Sequence, residues 1–345
     1  MTHGNEGSTS SARPGGGGSA GGILRRPELA IDAQGLRRSF GKVAAVRDIS
    51  VQVKPGEVTA LVGPNGSGKT TLMLILATLL RPDEGSVCIG GVDALSDPLA
   101  ARQQLGWMPD TLGVWDSLSC LDILTTMGRL YGMSPAEAKA RAEEQLEWVH
   151  LTDFAHRPAR VLSRGQQQRI SLARATIHRP SVLLLDEPAN GLDPDSRIRL
   201  REDLRAMAAR GTAVLVSSHV LAELEEMSDA AIVVREGVTV GVSDLSGAGE
   251  GALRYRVSGP VPGQAAGLLA ALERRGVGAT AVGGRSSDAF HITVPDAQAA
   301  ARLLAELVGE GVEISHFAAD RSRLEDAYLA QPQPRPVPAT TTTEA

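Results

Sequence analysis

Gly63-Pro64-Asn65-Gly66-Ser67-Gly68-Lys69-Thr70 is the stretch on which the fold turns. It fits the GxxxxGK[ST] pattern of a phosphate-cradling Walker A loop, with the apolar run Val58–Val62 before it and an apolar, helix-like segment after it. The glycines let the main chain curl closely enough for successive N–H groups to face phosphate oxygens. A helix starting near Lys69 adds the positive end of its dipole. The Lys69 ammonium is expected to reach the β- and γ-phosphates of a triphosphate, and the Thr70 hydroxyl to coordinate Mg²⁺. Gly63 through Thr71 are therefore candidate nucleotide-binding residues.

A second constellation follows 117 residues after Lys69, where Val182-Leu183-Leu184-Leu185 runs into Asp186-Glu187. Carboxylates at the C-terminal end of a buried strand face the crevice where α/β sheets bind ligands. Asp186 suits the Mg²⁺ shell as a Walker B acid, and Glu187 is placed to polarise an attacking water. A strand ending in Asp-Glu is by itself also an ordinary solvated cap; the upstream loop argues for the catalytic alternative.

Around these motifs the chain divides in two. Over residues 27–242, the apolar runs 58–62, 182–185 and 213–217 are each followed by a helix-like segment, as in a buried parallel sheet. Ile49, Val51 and Val53 alternate with polar residues, as in a half-exposed antiparallel strand. Residues 118–149 read as mostly helical, with Ser134-Pro135 and Glu137 starting a new helix. A Gly/Ser-rich linker is expected over 243–251. Residues 252–330 then read strand, helix, strand, strand, helix, strand and a last helix, an α+β ferredoxin-like order. Its helices are expected at 265–274 and 297–308, and two of its strands at 290–294 and 312–317. Residues 1–26, rich in Gly and Ser, and 331–345, rich in Pro, Thr and Ala, read as disordered tails.

Composition narrows the possibilities further. With 345 residues and an apolar fraction of 42%, the chain can bury a large core. A formal net charge of −5 gives no electrostatic footprint for nucleic acid, which is not expected as a partner. Cys88 and Cys120 fit no metal-ligand pattern and read as buried thiols. The greasiest stretch, residues 72–80, is far short of the roughly 20 apolar residues of a membrane span. The N-terminus lacks the apolar core of a signal peptide. A cytoplasmic location is expected, with any membrane work done through a partner.

Leu162-Ser163-Arg164-Gly165-Gln166-Gln167-Gln168-Arg169 resembles the LSGGQ signature of ABC-type ATPases, and Ser163 lies 23 residues before Asp186. Gly191-Leu192-Asp193-Pro194 resembles their D-loop, and His219, after the run 213–217, resembles their switch histidine. The resemblance spans about residues 29–240. It implies an α/β P-loop ATPase core with a mixed sheet, an antiparallel β-subdomain and a helical subdomain. It also implies a head-to-tail homodimer closing over two ATPs, each held by one chain's Walker A loop and the other's Ser163, Arg164, Gly165 and Gln166. In that scheme His219 touches the γ-phosphate and keeps Glu187 and the water in register. Asp193 bridges to the second subunit, although it equally suits a helix N-cap. Phe40, in Arg38-Ser39-Phe40-Gly41, stands where the family stacks an aromatic on adenine, in a chain with only four Phe, three Tyr and three Trp.

Two departures qualify the resemblance. Asp110, in Leu105-Gly106-Trp107-Met108-Pro109-Asp110, stands where the family usually has Gln; shorter and anionic, it is expected to reach Mg²⁺ only through a water, or to serve as a turn residue after Pro109. Arg164 replaces a signature glycine, adding a cation near the expected nucleotide. The signature, together with a C-terminal module ending in Leu324-Glu325-Asp326-Ala327-Tyr328, resembles the branch serving ABC-2-type and daunorubicin-type drug exporters. The expected function is an ATP-hydrolysing motor beneath a separate permease. Two alternatives, an ABC ATPase acting on DNA or ribosomes and an autonomous NTPase, fit less well. About 90 residues separate Thr70 from Ser163 without sustained heptads, and the chain carries one nucleotide motif set.

Overall fold

The computed structural model describes residues 28–111, 113, 115–245, 253–260, 265–281 and 289–319. The expected tails, most of the linker, and the last helix around Leu324–Tyr328 lie outside these residues.

One ten-stranded sheet organises the larger region. Its spatial order is Val92–Asp93, Glu84–Ile89, Ile31–Phe40, Val43–Val53, Val238–Asp244, Ala230–Arg235, Val58–Val62, Ala213–Ser217, Val182–Asp186 and Leu105–Met108. The last five are mutually parallel, whereas the first four pair antiparallel. The parallel strands read as continuous apolar runs because helices cover both faces. Every residue of Val58–Val62, Val182–Asp186 and Ala213–Ser217 is buried. In Val43–Val53 the alternation appears as expected, with Ile49, Val51 and Val53 buried and Gln52 exposed.

Register places the chemistry. Asp186 lies opposite Ser217, and Ser217 opposite Leu61, so the loop after Val62, the acidic pair and the end of Ala213–Ser217 share one carboxyl edge. Helix Lys69–Leu76 buries Leu72, Met73, Ile75 and Leu76 in a core shared with the antiparallel strands. Helices Pro194–Ala209 and Leu221–Met227 cover the opposite face.

Helices Cys120–Leu130, Pro135–Trp148 and Arg164–Thr176 share a separate core around Ile123, Leu124, Leu146 and Ile170. The start at Ser134 is a complete capping box, with Ser134 and Glu137 each accepting from the other's amide and Pro135 in the first turn.

The ladder of the last sheet strand continues through Asp244, two residues past the boundary expected at 242, because residues 243 and 244 still pair with Ala231 and Ala230. Beyond it, Leu253–Ser258, Ala265–Arg274, Ala279–Ala281, Ala289–Val294, Ala297–Gly309 and His316–Ala319 follow in strand, helix, strand, strand, helix, strand order. The four strands form an antiparallel sheet ordered 279–281, 289–294, 253–258, 316–319. The strand expected at 312–317 begins only at His316. Gly311 takes φ 78° and Val312 donates its N–H to Leu307 O, so this segment closes the preceding helix rather than joining the ladder.

Sheet and signature helix pack closely at Gly106, where a Cβ would sit 2.3 Å from Ala175 O and 2.9 Å from both Leu183 Cδ1 and Pro180 Cγ. Gly106→Ala should force the edge strand away and destabilise by roughly 1–3 kcal/mol. Urea unfolding followed by circular dichroism measures this; an unchanged midpoint contradicts the close approach.

Candidate functional site

The Walker A loop leaves Val62 at the carboxyl edge of the sheet and enters helix Lys69–Leu76 through Gly68, whose φ is 101°. A Cβ on Gly63 would lie 2.3 Å from Val234 O, and one on Gly68 would lie 2.6 Å from Ala45 O; both glycines are sterically required. Helix Lys69–Leu76 has no side-chain N-cap and no acidic residue in its first turn. Ser119, Ser134, Ser163, Asp193 and Asp296 cap other helices, each accepting from a first-turn amide. The start of helix Lys69–Leu76 is thus a row of donors with no side-chain acceptor, as an anion site requires.

That row opens into a crevice of about 690 Å³ lined by Asn65, Gly66, Gly68, Lys69, Thr70 and Thr71 on one side and by Asp110, Asp186 and Glu187 on the other. The fold therefore brings together the Walker A residues, both Walker B carboxylates and Asp110. Lys69 Nζ donates to Gly63 O at 2.7 Å and Pro64 O at 3.2 Å. Burial draws its pKa below the usual lysine value, while Glu187 and Asp186 pull it back up. Burial likewise raises the Asp186 carboxyl, with Glu187 and Asp110 adding to the rise and Ser217 and Lys69 opposing it. Among the described residues no three acidic, His or Cys side chains cluster as a metal cage, but the Asp186 carboxylate and the Thr70 hydroxyl line the same crevice and are hard oxygen donors of the kind that hold Mg²⁺ beside a substrate's phosphates.

Glu187 has φ 52°, a left-handed conformation that turns the chain sharply after the strand. Its Oε2 lies 2.8 Å from His219 Nδ1 and accepts from His219 N at 3.4 Å. Asp110 Oδ1 accepts from Asn190 Nδ2 at 3.4 Å. Phe40 is at the crevice rim, its strand partner Val43 being a lining residue; it is 48% exposed, with the Arg38 guanidinium 5.0 Å from its ring centroid.

The signature residues stand apart from this crevice. Ser163 caps helix Arg164–Thr176, accepting from Gln166 N at 3.3 Å while its own N–H donates to Gln166 Oε1 at 2.8 Å. Ser163 and Arg164 are exposed, and neither they nor Gly165 and Gln166 line the crevice. Asp193 takes the N-cap position of helix Pro194–Ala209, accepting from Ser196 N at 2.9 Å and Ser196 Oγ at 2.7 Å. The Ser196 amide and hydroxyl hold its carboxyl below the ordinary aspartate value.

Sequence reasoning missed Ser217 and Asn190. The Ser217 hydroxyl donates to Asp186 Oδ1 at 2.5 Å and accepts from Glu187 N at 3.2 Å, holding both acids at once. A polar residue ending an apolar strand was the available signal; its partner depends on strand register.

Comparison with known proteins agrees with this geometry. Residues 46–190 match the family model described as ABC transporter. The chain is 32% identical over 309 residues to the daunorubicin/doxorubicin resistance ATP-binding protein DrrA of Streptomyces peucetius, covering 88% of this chain and 93% of that one. It is 37% identical over 219 residues to the doxorubicin resistance ATP-binding protein DrrA of Mycobacterium tuberculosis, covering 63% of this chain and 66% of the relative, just under two thirds of its length. A dimeric ATP-binding cassette solved in a post-hydrolysis state with ADP and Pi superposes with a TM-score of 0.57 at 25% identity, covering 63% of this chain and 99% of the other. Among the described residues no helix is long and apolar enough to cross a membrane. The chain belongs to the ABC transporter family, among its ATP-binding, ATP-hydrolysing subunits.

Proposed function

We propose that the chain binds and hydrolyses Mg-ATP, that two copies close head to tail over two nucleotides, and that this closure drives a separate permease. The permease is of the ABC-2 type, the subunit sits beneath it on the inner face of the cell membrane, and the cargo is a drug-like or other hydrophobic compound exported from the cell. The ATP-binding domain occupies residues 27–244 in this proposal, and 252–330 form an accessory module.

One observation carries the reading: an uncapped helix start and three carboxylates share one crevice, while the signature serine lies outside it. The Walker A amides and Lys69 hold the β- and γ-phosphates, with Phe40 stacking on the adenine once Arg38 is displaced. Thr70 and Asp186, with Asp110 acting through a water, would hold Mg²⁺, which would supply charge compensation for the phosphates. Glu187 takes the proton of a water in line with the γ-phosphorus; as the new P–O bond forms, the bond to the bridging oxygen breaks and its electron pair leaves with ADP. His219 steadies the Glu187 carboxylate through the 2.8 Å contact. Ser163, whose hydroxyl proton remains free to donate, completes the γ-phosphate shell of the second subunit's site. The resistance relatives support the export direction. Once the γ-phosphate is released, the closed pair loses its shared ligand and opens.

Two substitutions test the reading. Glu187→Gln should bind Mg-ATP as the native chain does while turnover falls at least a hundredfold; unchanged phosphate release removes Glu187 from the base role. Lys69→Ala should weaken Mg-ATP binding at least tenfold in an equilibrium titration, and native affinity contradicts its phosphate contact.

A further inference from the structure

Helix Arg164–Thr176 touches two places that the ATPase cycle separates. Its first residues and the preceding Ser163 face solvent, outside this chain's own crevice. Five positions after Ser163, Gln168 is only 3% exposed, and its Nε2 donates to Glu187 O at 3.3 Å and to Pro188 O at 2.7 Å. Both acceptors are carbonyls, so the amide nitrogen must face them and the orientation is fixed by chemistry. These carbonyls belong to the turn where Glu187 takes its left-handed φ of 52°. A strained turn persists only when its surroundings over-determine it.

The same helical turn grips the rest of the loop. A Cβ on Gly191 would lie 2.6 Å from Arg164 Nε, so the Arg164 side chain lies directly over the Gly191 main chain. A Cβ on Gly165 would meet Leu192 Cδ2 at 3.4 Å. Asn190 N donates to Glu187 O, the carbonyl that Gln168 also holds. The start of the signature helix and residues 187–192 therefore form one packed unit.

We infer that Gln168 is a positioning residue that carries γ-phosphate occupancy from one ATP site to the hydrolytic base of the other. This rests on the head-to-tail dimer proposed above. Ser163 senses the triphosphate held by the second subunit. A helix moves as a rigid rod, and Gln168 lies about 7.5 Å along it, so a shift at Ser163 reaches the Glu187 turn of its own chain. Hydrolysis at one site then depends on ATP at the other. Gln168 does not line the crevice; it acts through the Glu187 main chain.

Gln168→Met keeps length and burial but removes both donors. With the full-length chain, kcat for ATP hydrolysis should fall at least tenfold, Mg-ATP affinity should stay within twofold of native, and the Hill coefficient for ATP should drop towards 1. Gln168→Glu supplies a second readout. Its protonated form offers one O–H donor and its ionised form none, so the ratio of its kcat to the native kcat should rise as pH falls. Native kcat and Hill coefficient in Gln168→Met overturn the inference, as does a pH-independent ratio for Gln168→Glu. Should Gln168→Met fail to fold, the Gln168→Glu profile alone decides. Native turnover is the control for the underlying reading: its absence sinks the ATPase proposal itself, whereas native turnover with an unaltered variant sinks only the role of Gln168.

Discussion

The N-terminus of helix Lys69–Leu76 is left without a side-chain acceptor, and the rest of the site is built around that omission. Capping a helix with Ser, Thr, Asp or Asn is worth about 1 kcal/mol, and six other helices among the described residues have such a cap. Forgoing it here leaves amide donors and a helix dipole pointing into a crevice that also holds the buried Lys69 side chain. A phosphate chain satisfies all of them together. The sheet register then delivers Asp186 and Glu187 to the facing wall, where burial, with neighbouring negative charge adding to it, makes the Asp186 carboxylate costly to keep ionised.

The second organising feature is what this crevice lacks. The signature residues form a helix start of their own, already closed by the Ser163–Gln166 capping box. That box satisfies the Ser163 and Gln166 amides in the free chain, yet leaves the serine proton available. One such helix start is a weak anion site. Two, placed on either side of one triphosphate, make the nucleotide the shared ligand of a pair. Weak half-sites suit a motor, because a pair held by a single phosphate group can be released by removing it.

Much of this was legible in the sequence because its signals are local. Gly63 to Thr71, the apolar run into Asp186-Glu187, and the Ser134-Pro135 helix start each declare themselves within a few residues, and each lies where expected. What escaped depends on residues brought together by register. Ser217 reaches Asp186 only because two strands 31 positions apart end level with each other. Gln168 reads as one glutamine in a run of three until the helix turns it inward against the Glu187 carbonyl. The misplaced start of strand His316–Ala319 has a similar cause, since apolar Val312 serves the helix before it rather than the sheet after it. For Phe40 the sequence indicated the rim of the crevice but not the Arg38 guanidinium over its ring.

The central claim is that one chain supplies only half of each γ-phosphate shell. Mass measurement by sedimentation equilibrium on the Glu187→Gln chain, with and without saturating Mg-ATP, addresses it most directly. The account predicts a monomer without nucleotide and a stable dimer with it, at one ATP per chain. A species that remains monomeric at saturating Mg-ATP, with its permease also present, contradicts it.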